Sequence, residues 1–472
     1  MTNRSDPRDH GALQQIAALY QAGQLHQADA LALAFLAQGL PRERQTPALL
    51  WRGFIADKRG DAAAARDHFE DARQIDRRNP QLLAQLGALH DRLGEHDKAE
   101  ACYRESLRHE PRNAVAHYNL GIVLQRKRDL AGARRAYETA VQHAPRLHPA
   151  WLNLGNVLRD LKDDNNAKDC YRRAIEIEPR FAIAHHALGV LAQAHEQHAA
   201  AAACFRAALE ADARHLESWL DLVASQERLN DRDGALATVT QALSIFPHDA
   251  TLQFKRSVFA GEQAVSIPDA VVEKLFDHMA PTFDEHLVGR LGYGIPRQLS
   301  AMLADWLRNR GPAAVLDLGC GTGLFGVEVA ISKSTLVGVD LSARMVEAAR
   351  NRGVYDALHA MSIDVYLGAH PDLFDLIVAT DVLVYIGALE ALFAGVRAHM
   401  NARGRFAFST ESPADLQEGF RLLPAGRYAH APAYVRALAE SNGFEVVAQE
   451  PAVIRTEASV PIYGFVFVLE GR

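Results

Sequence analysis

The 472-residue sequence has few of the features that define specialised protein classes. Four cysteines are too few for a disulfide framework. No uninterrupted apolar run approaches the roughly 18 residues that a membrane span requires, and residues 1–10 lack the apolar stretch of a secretion signal. A formal net charge of −7 without a stripe rich in lysine or arginine argues against a nucleic-acid partner. We therefore predict a cytoplasmic globular protein with neither a membrane nor a nucleic-acid partner.

The negative charge is confined to one part of the chain. Residues 1–264 contain 34 Lys and Arg against 34 Asp and Glu, whereas residues 265–472 contain 17 against 24. Hydrophobic residues make up 49% and charged residues 23% of the whole, which is typical of folded proteins. The length allows two or three domains.

A repeat of 34 residues fills the first half of the chain. Glycine recurs at this spacing, followed twelve residues later by alanine and sixteen residues later by an aromatic residue. The glycines are Gly53, Gly87, Gly121, Gly155 and Gly189, and the aromatic residues are Phe69, Tyr103, Tyr137, Tyr171 and Phe205. Small residues allow two helices to approach closely, the aromatic ring fills the space beside them, and proline ends most units. The pattern predicts stacked pairs of helices.

The unit Trp151-x-x-Leu154-Gly155, Ala167-x-x-x-Tyr171, Pro179 is similar to the tetratricopeptide repeat. We predict six full repeats over residues 46–249 and a degenerate one at about 10–43. The resemblance implies a superhelix whose concave face binds a protein or peptide segment. Asn119 and Asn153 share one repeat position, where asparagines bind a peptide backbone or are merely common in the consensus, and Ala187 interrupts the series.

Cysteine and histidine in the repeats do not predict a metal site. Cys102, Cys170 and Cys204 all occupy the position before the aromatic residue, as expected for small apolar side chains on a packed helix. The neighbouring pair His185 and His186 lacks further ligands across a fixed loop, which favours surface histidines.

The 34-residue period stops after residue 250. Residues 250–311 are predicted to hold connecting and cap helices, with helices near 269–279 and 295–309. Residues 312–472 then begin with a short apolar run that ends in Asp317-Leu-Gly319-Cys-Gly321-Thr-Gly323. This pattern is typical of a buried strand, a tight turn whose backbone passes close to a ligand, and a helix.

Further strands follow at regular intervals. The strand 336–339 ends at Asp340, whose carboxylate is placed to accept both ribose hydroxyls of an adenosine. Other strands are predicted near 358–363, 374–379 and 404–411, and residues 444–449 and 462–469 are predicted to form an antiparallel hairpin.

Two cofactor classes share such a glycine-rich loop. The spacing Gly321-x-Gly323-x-x-Gly326 also fits the dinucleotide fingerprint of dehydrogenases. The acidic Asp317, the glycine spacing counted from Gly319 and the C-terminal hairpin instead resemble the class I S-adenosylmethionine-dependent methyltransferases. That family implies a Rossmann-like α/β domain with a seven-stranded sheet and an antiparallel C-terminal hairpin.

The resemblance extends to a bacterial family of methyltransferases that carry tetratricopeptide repeats at their N-terminus. The segments that match are Phe283-Asp-Glu-His286-Leu, Leu291-Gly-Tyr293, Gly426-Arg427-Tyr428-Ala-His430 and Arg455-Thr-Glu457. The similarity covers nearly the whole chain and implies S-adenosylmethionine as cofactor.

The resemblance implies a set of cofactor-binding residues. The methionyl end would be held by Asp317 and the backbone of Gly319, Cys320, Gly321 and Gly323. Asp340 would bind the ribose, and Leu341 and Met345 would flank the adenine. Either Ser362 or Asp364 would bind the adenine amino group, because the usual acidic residue is absent at the first of these positions. Thr380 and Asp381 would lie near the sulfonium.

Three residues are candidates for catalysis, each with a structural alternative. His430, Tyr428 and His286 could orient or deprotonate an acceptor, or could be structural hydrogen-bonding residues. Arg427 could clamp an anion or pair with a surface acid. We predict a methyltransferase whose repeats recruit a protein or carrier-bound substrate. The alternatives are a small-molecule methyltransferase that uses its repeats for docking or homodimerisation, and a catalytically silent scaffold.

Overall fold

The computed structural model describes residues 7–262, 266–285, 289, 292–329, 333–457 and 460–472. The chain divides into two compact units, Met1–Leu229 and Asn230–Arg472. Within the described ranges, no helix is both long enough and apolar enough to cross a membrane.

The first unit is entirely helical in its described part. Its helices are α1 (Pro7–Gln21), α2 (Leu25–Leu36), α3 (Arg42–Lys58), α4 (Ala62–Ile75), α5 (Pro80–Arg92), α6 (His96–His109), α7 (Ala114–Arg126), α8 (Leu130–His143), α9 (His148–Asp160), α10 (Asp164–Ile177), α11 (Ala182–Ala194), α12 (His198–Ala211) and α13 (Leu216–Arg228). Asp61, Asp129 and Asp163 cap the second helix of their pairs by accepting a hydrogen bond from the backbone N–H three residues later.

The repeated glycine makes room for the repeated aromatic ring. A Cβ atom at Gly155 would lie 2.5 Å from a ring carbon of Tyr171, and one at Gly53 would lie 2.3 Å from the ring of Phe69. The Tyr171 ring is fully buried. Because glycine and ring lie on the two helices of one pair, the same packing recurs in each of the five units that have both residues, which explains the period. The predicted helical repeat fold is confirmed.

Two of the three cysteines of the repeats are packed in the helical core, and Cys204 is half-buried. Cys102 and Cys170 are buried, and burial raises the pKa of the Cys170 thiol to about 12. A protonated, buried thiol behaves as a small apolar side chain.

The second unit contains helices and a mixed sheet. Its helices are α14 (Arg232–Ile245), α15 (Ala250–Ala260), α16 (Asp269–Met279), α17 (Ile295–Arg310), α18 (Leu324–Val329), α19 (Ala343–Asn351), α20 (Ile363–Ala369), α21 (Glu390–Ala398) and α22 (Pro432–Ser441). Its strands are β1 (Ala313–Leu318), β2 (Lys333–Asp340), β3 (Ala357–Ala360), β4 (Phe374–Ala379), β5 (Met400–Glu411), β6 (Phe420–Leu422), β7 (Tyr428–His430), β8 (Phe444–Glu457) and β9 (Val460–Gly471).

The main sheet has the strand order β3-β2-β1-β4-β5-β9-β8. Strands β1 to β5 are parallel, whereas β9 is antiparallel to both β5 and β8, with Phe408 opposite Phe467. This is the Rossmann-like sheet with an antiparallel C-terminal hairpin that the sequence predicts, and the fold class is confirmed. A short hairpin of β6 and β7 is added where Ala429 pairs with Glu411 at the end of β5.

Apolar side chains cover both faces of this sheet. Along β1, Val315 belongs to one buried cluster and its neighbours Leu316 and Leu318 belong to the other. Such alternation follows from the two-residue period of a strand. Both faces of the sheet are therefore covered, and in sheets of this kind ligands bind beyond the carboxyl ends of the strands.

Candidate functional site

A cavity of about 500 Å³ lies at the carboxyl ends of the parallel strands. Its wall is formed by the segments that follow β1, β2, β3 and β4, together with residues of α16. These wall residues include Gly319, Cys320, Gly321, Thr322, Asp340, Leu341, Ser362, Asp364, Thr380 and Asp381. Most residues predicted to bind a cofactor are thus brought together from four separate loops.

The glycine-rich loop after β1 needs its glycines for conformation. Gly319, Gly321 and Gly323 have φ angles of 68°, 54° and 88°, a region that other residues adopt only at a cost. A Cβ at Gly319 would also lie 2.3 Å from a methyl carbon of Val382. Gly319 and Gly321 consequently present backbone atoms without a side chain at the cavity wall.

Asp340 at the end of β2 faces the cavity and is 8% exposed. Its Oδ2 accepts a hydrogen bond of 2.9 Å from the backbone N–H of Gly321, and its Oδ1 accepts one of 2.9 Å from that of Ser342. Burial raises the pKa of this carboxyl to about 6. Each oxygen retains a further lone pair, so the carboxylate can also accept hydrogen bonds from two hydroxyls of a ligand.

Asp317 at the end of β1 is fully buried. The hydroxyl of Tyr355 donates a 2.7 Å hydrogen bond to its Oδ2, whereas its Oδ1 has no hydrogen-bond partner among the described residues. Burial raises the pKa of the carboxyl to about 7. A buried carboxylate oxygen without a partner is costly, and a cationic donor on a ligand would satisfy it.

Some of the residues predicted to contact the adenine line the cavity and others do not. Leu341 lines the cavity, whereas Met345 is fully buried and lies outside the wall. Ser362 and Asp364 both line it. The Ser362 hydroxyl accepts a 3.4 Å hydrogen bond from the N–H of Val365 at the start of α20, and Asp364 is exposed. Both remain candidates for the adenine amino group.

Asp381, after β4, belongs to a buried ionic group. Its backbone has a φ of 56°, and its N–H donates a 3.0 Å hydrogen bond to Oγ of Ser409. Its Oδ1 accepts a 3.2 Å hydrogen bond from Nη1 of Arg455, which is 1% exposed and also pairs with Glu411. The three side chains carry a formal charge of −1, and two of them, Asp381 and Arg455, line the cavity.

Sequence reasoning did not predict a role for two polar residues of the wall, Tyr293 and Tyr385, and left Arg427, which also lines it, between clamping an anion and pairing with a surface acid. The Tyr293 hydroxyl is buried and has no hydrogen-bond partner among the described residues, and burial raises its pKa well above the usual value. Arg427 lies beside the Tyr385 hydroxyl, which is also close to Asp381. Tyr293 and Arg427 occur in the segments shared with the resembling family, which was the only available signal.

Helix α16 and the residues after it close the cavity on one side. The Ser342 hydroxyl donates a 2.6 Å hydrogen bond to Asp277, and Asp284 accepts from Thr322 and pairs with Arg352. The Phe276 ring packs against Phe283 and Tyr385 at centroid distances of 5.9 and 5.3 Å. The predicted connecting region is therefore part of the site.

The predicted catalytic residues do not lie together in this cavity. His430 and Tyr428 are fully buried in β7, and neither lines the wall. The His430 Nε2–H donates to the carbonyl oxygens of Ile386 and Gly387 at 2.9 and 3.0 Å, and burial lowers the pKa of the ring to about 4. These contacts fit the alternative in which His430 is a structural hydrogen-bonding residue. His286 lies outside the described residues.

Comparison with known proteins identifies both parts of the chain. A model described as a methyltransferase domain matches residues 316–406. Models of the tetratricopeptide repeat match residues 85–147, 148–181 and 186–250. The chain therefore carries tetratricopeptide repeats and a methyltransferase domain, and the two-part resemblance read from the sequence is confirmed.

Curated relatives that are methyltransferases match part of the chain. A malonyl-[acyl-carrier protein] O-methyltransferase of Legionella pneumophila is 34% identical over 129 residues, which is 26% of this chain and 45% of the relative. A ubiquinone biosynthesis O-methyltransferase of Thiobacillus denitrificans is 26% identical over 168 residues, or 31% of this chain and 72% of the relative. The chain thus spans less than half the length of the first relative.

Among solved structures, a magnesium protoporphyrin IX methyltransferase from Synechocystis with bound S-adenosylmethionine covers 44% of this chain and 100% of its own. It is 16% identical, with a TM-score of 0.33. A similarity with so low a TM-score supports neither a fold nor a function for this chain.

Proposed function

We propose that the protein is an S-adenosylmethionine-dependent methyltransferase whose repeats recruit a protein or carrier-bound substrate. The observation that carries the proposal is the convergence of Asp340 and the glycine loop on one crevice, with the partnerless Oδ1 of the buried Asp317 at the end of the strand that leads into this loop. The cavity of about 500 Å³ has a volume that suits a cofactor of this size.

The polar groups of the second unit fit the parts of S-adenosylmethionine. The Asp340 carboxylate would accept hydrogen bonds from the ribose hydroxyls. The methionyl ammonium would satisfy Asp317 Oδ1, which has no partner among the described residues. Ser362 or Asp364 would bind the adenine amino group, and Leu341 would contact its apolar surface. The matched methyltransferase domain contains these residues.

When bound, the cofactor supplies a methyl carbon that the adjacent sulfonium activates for displacement. The chain's own contribution is alignment and exclusion of water. Helix α16 and the residues after it, held by Asp277 and Asp284, cover the crevice. The formal charge of −1 on Asp381, Arg455 and Glu411 favours a cation in the neighbouring cavity.

The recruiting role of the repeats is supported by amide side chains of the first unit. Asn119 lines a small groove of about 200 Å³ together with Gln85 and Tyr103. The amide of Asn153 lies 3.4 and 3.5 Å from the hydroxyls of Tyr118 and Tyr137. Amides can both donate to and accept from a peptide backbone. The acyl-carrier substrate named for one relative is consistent with a carrier-bound acceptor.

The proposal is tested with methyl-labelled S-adenosylmethionine, the full-length protein and a size-fractionated lysate. We expect label in a discrete macromolecular fraction, reduced at least several-fold by the double substitution Asn119→Ala and Asn153→Ala while S-adenosylhomocysteine binding stays unchanged. Label confined to small molecules and unaffected by the double substitution would favour the enzyme that uses its repeats for docking or homodimerisation. Absence of cofactor binding would leave the catalytically silent scaffold as the remaining alternative.

A further inference from the structure

We propose that the hydroxyl oxygen of Tyr293 contacts the sulfonium of bound S-adenosylmethionine, so that the protein distinguishes this cofactor from S-adenosylhomocysteine. The inference rests on the proposed function and adds a cofactor-contacting residue to the same site. It depends on the burial of the hydroxyl, the packing of its ring, its position relative to the strands and the charges around it.

The Tyr293 hydroxyl is a buried polar group in the cavity wall. The residue is 6% exposed and lines the cavity, and its hydroxyl oxygen forms no hydrogen bond within the part of the chain that the structure describes. Thr380 lies nearby without forming one. Buried polar atoms nearly always have a hydrogen-bond partner, and leaving one unpaired is costly. Phenylalanine would fill the same space without this cost, so the hydroxyl indicates a contact with a ligand.

The ring of Tyr293 is held in place by the apolar core. It belongs to a buried cluster that also contains Ile295 and Leu299 of α17, Val315 of β1 and Phe325 of α18. Because Tyr293 precedes α17 by only one residue, the start of this helix also restrains its backbone. A side chain held in this way loses little conformational freedom when a ligand binds. The hydroxyl is therefore available to a ligand in the cavity without rearrangement of the ring.

The position of the hydroxyl corresponds to the part of the cofactor beyond the ribose. The order of neighbouring strands is β3-β2-β1-β4. In the proposed binding mode the adenine lies at the end of β3, and the ribose lies at Asp340 after β2. Tyr293 is instead close to Asp317 at the end of β1 and to Thr380 and Asp381 after β4. A cofactor that crosses the strand ends in this order brings its sulfonium and methionyl groups to the hydroxyl.

The charged groups around the hydroxyl favour a cation beside it. Burial raises the pKa of the Tyr293 hydroxyl well above its usual value, Asp381 and Asp317 raise it further, and Arg455 lowers it to a smaller extent. The hydroxyl therefore stays protonated, and the surrounding negative charge favours a cation over the methionyl carboxylate. The methionyl ammonium is assigned to Oδ1 of Asp317, which leaves the sulfonium for Tyr293. The lone pairs of the phenol oxygen can accept weak C–H···O contacts from the carbon atoms bonded to the sulfonium.

The test measures affinities of the full-length protein for S-adenosylmethionine and S-adenosylhomocysteine by calorimetry. The two compounds differ only in the methyl group and the positive charge of the sulfonium. Tyr293→Phe should therefore lower the affinity for S-adenosylmethionine roughly fivefold, the order expected for one or two weak C–H···O contacts, and leave that for S-adenosylhomocysteine unchanged. Tyr366→Phe removes a hydroxyl from a buried tyrosine outside the cavity wall. This matched control should change neither affinity.

Thermal unfolding of the ligand-free variants separates a ligand contact from a structural role. Because the Tyr293 hydroxyl has no partner among the described residues, Tyr293→Phe should unfold at the temperature of the wild type or above it. An affinity ratio unchanged by Tyr293→Phe, including an equal loss for both compounds, would overturn the sulfonium contact and leave the proposed function intact. If the wild-type protein bound neither S-adenosyl compound, the proposed function itself would have failed, and the inference with it.

Discussion

Glycine serves different purposes in the two units. In the repeats, Gly121 and Gly155 are helical and provide space, because a Cβ would collide with a tyrosine ring at 2.5 Å. In the α/β unit, Gly319 and Gly321 have positive φ angles and provide a conformation. The first use recurs at 34-residue spacing in five repeats, whereas the second places three positive-φ glycines, Gly319, Gly321 and Gly323, within one loop beside a cavity. A glycine pattern therefore indicates structure in one half and a ligand site in the other.

The largest effect on cofactor affinity is expected at Gly319, where a positive φ angle and a lack of space for a Cβ atom coincide. Gly319→Ala combines a φ of 68° with a contact of 2.3 Å to Val382, so the loop must move. We expect S-adenosylhomocysteine affinity to fall by about a hundredfold or more in calorimetric titration. Gly353→Ala is the control, since its φ is 67° but nothing lies within 4 Å. It should cost about 1 kcal/mol of stability and leave affinity unchanged, and equal losses of affinity in both variants would contradict this account.

Substitution of a repeat glycine should change the stability of the protein and leave its affinity for S-adenosylhomocysteine unchanged. Gly155→Ala forces the Tyr171 ring out of its position and should lower the free energy of unfolding by about 1–3 kcal/mol, the usual cost of overpacking. Gly11→Ala, in helix α1 with no atom within 4 Å, should raise it by up to about 1 kcal/mol through helix propensity. Denaturant unfolding measures both. A stabilising Gly155→Ala would show that space is not what this glycine provides.

Cofactor binding should depend on pH through the two buried carboxyls. Burial raises the pKa of Asp317 to about 7 and that of Asp340 to about 6. Since the folded-state values are raised, these groups lower the stability of the ligand-free protein as pH increases from about 4 to 7. The ligand prefers the ionised forms, so its affinity should instead increase with pH, by up to about a hundredfold from pH 5.5 to 7.5 if both carboxyls must be ionised. Calorimetry in buffers of different ionisation enthalpy should detect proton release near pH 6.5, and pH-independent affinity would contradict the assignment.

The same contrast explains which parts of the fold and of the candidate site could be predicted from the sequence. Gly155 and Tyr171 are sixteen residues apart in one helix pair, so the packing leaves a period that is visible without a structure. Asp340 was also predictable, because it directly follows a buried strand. Tyr293 and Arg455 reach the cavity from segments without local periodicity. His430 was predicted as a candidate for catalysis, but it lies in β7, whose side chains are buried, whereas Arg427, directly before this strand, lies in the cavity wall.

The smallest effect is expected at His430. Replacing it by Asn removes the donor to the Ile386 and Gly387 carbonyls, which should cost about 1–2 kcal/mol of stability. S-Adenosylhomocysteine affinity should stay within about twofold of wild type, because the ring lies outside the cavity wall. Thermal unfolding and calorimetry separate the two quantities. A large loss of affinity with unchanged stability would return His430 to the functional site.

The most direct test of the central claim is titration of the full-length protein with S-adenosylhomocysteine, comparing wild type with Asp340→Ala. The account predicts one site per chain and a loss of affinity of about a hundredfold in the variant, from two hydrogen bonds to a charged group. Glu347→Gln, exposed on α19 and paired with Arg350, should bind as wild type does. Absence of binding by the wild type, or equal affinity with and without the Asp340 carboxylate, would contradict the claim that this crevice is a cofactor site.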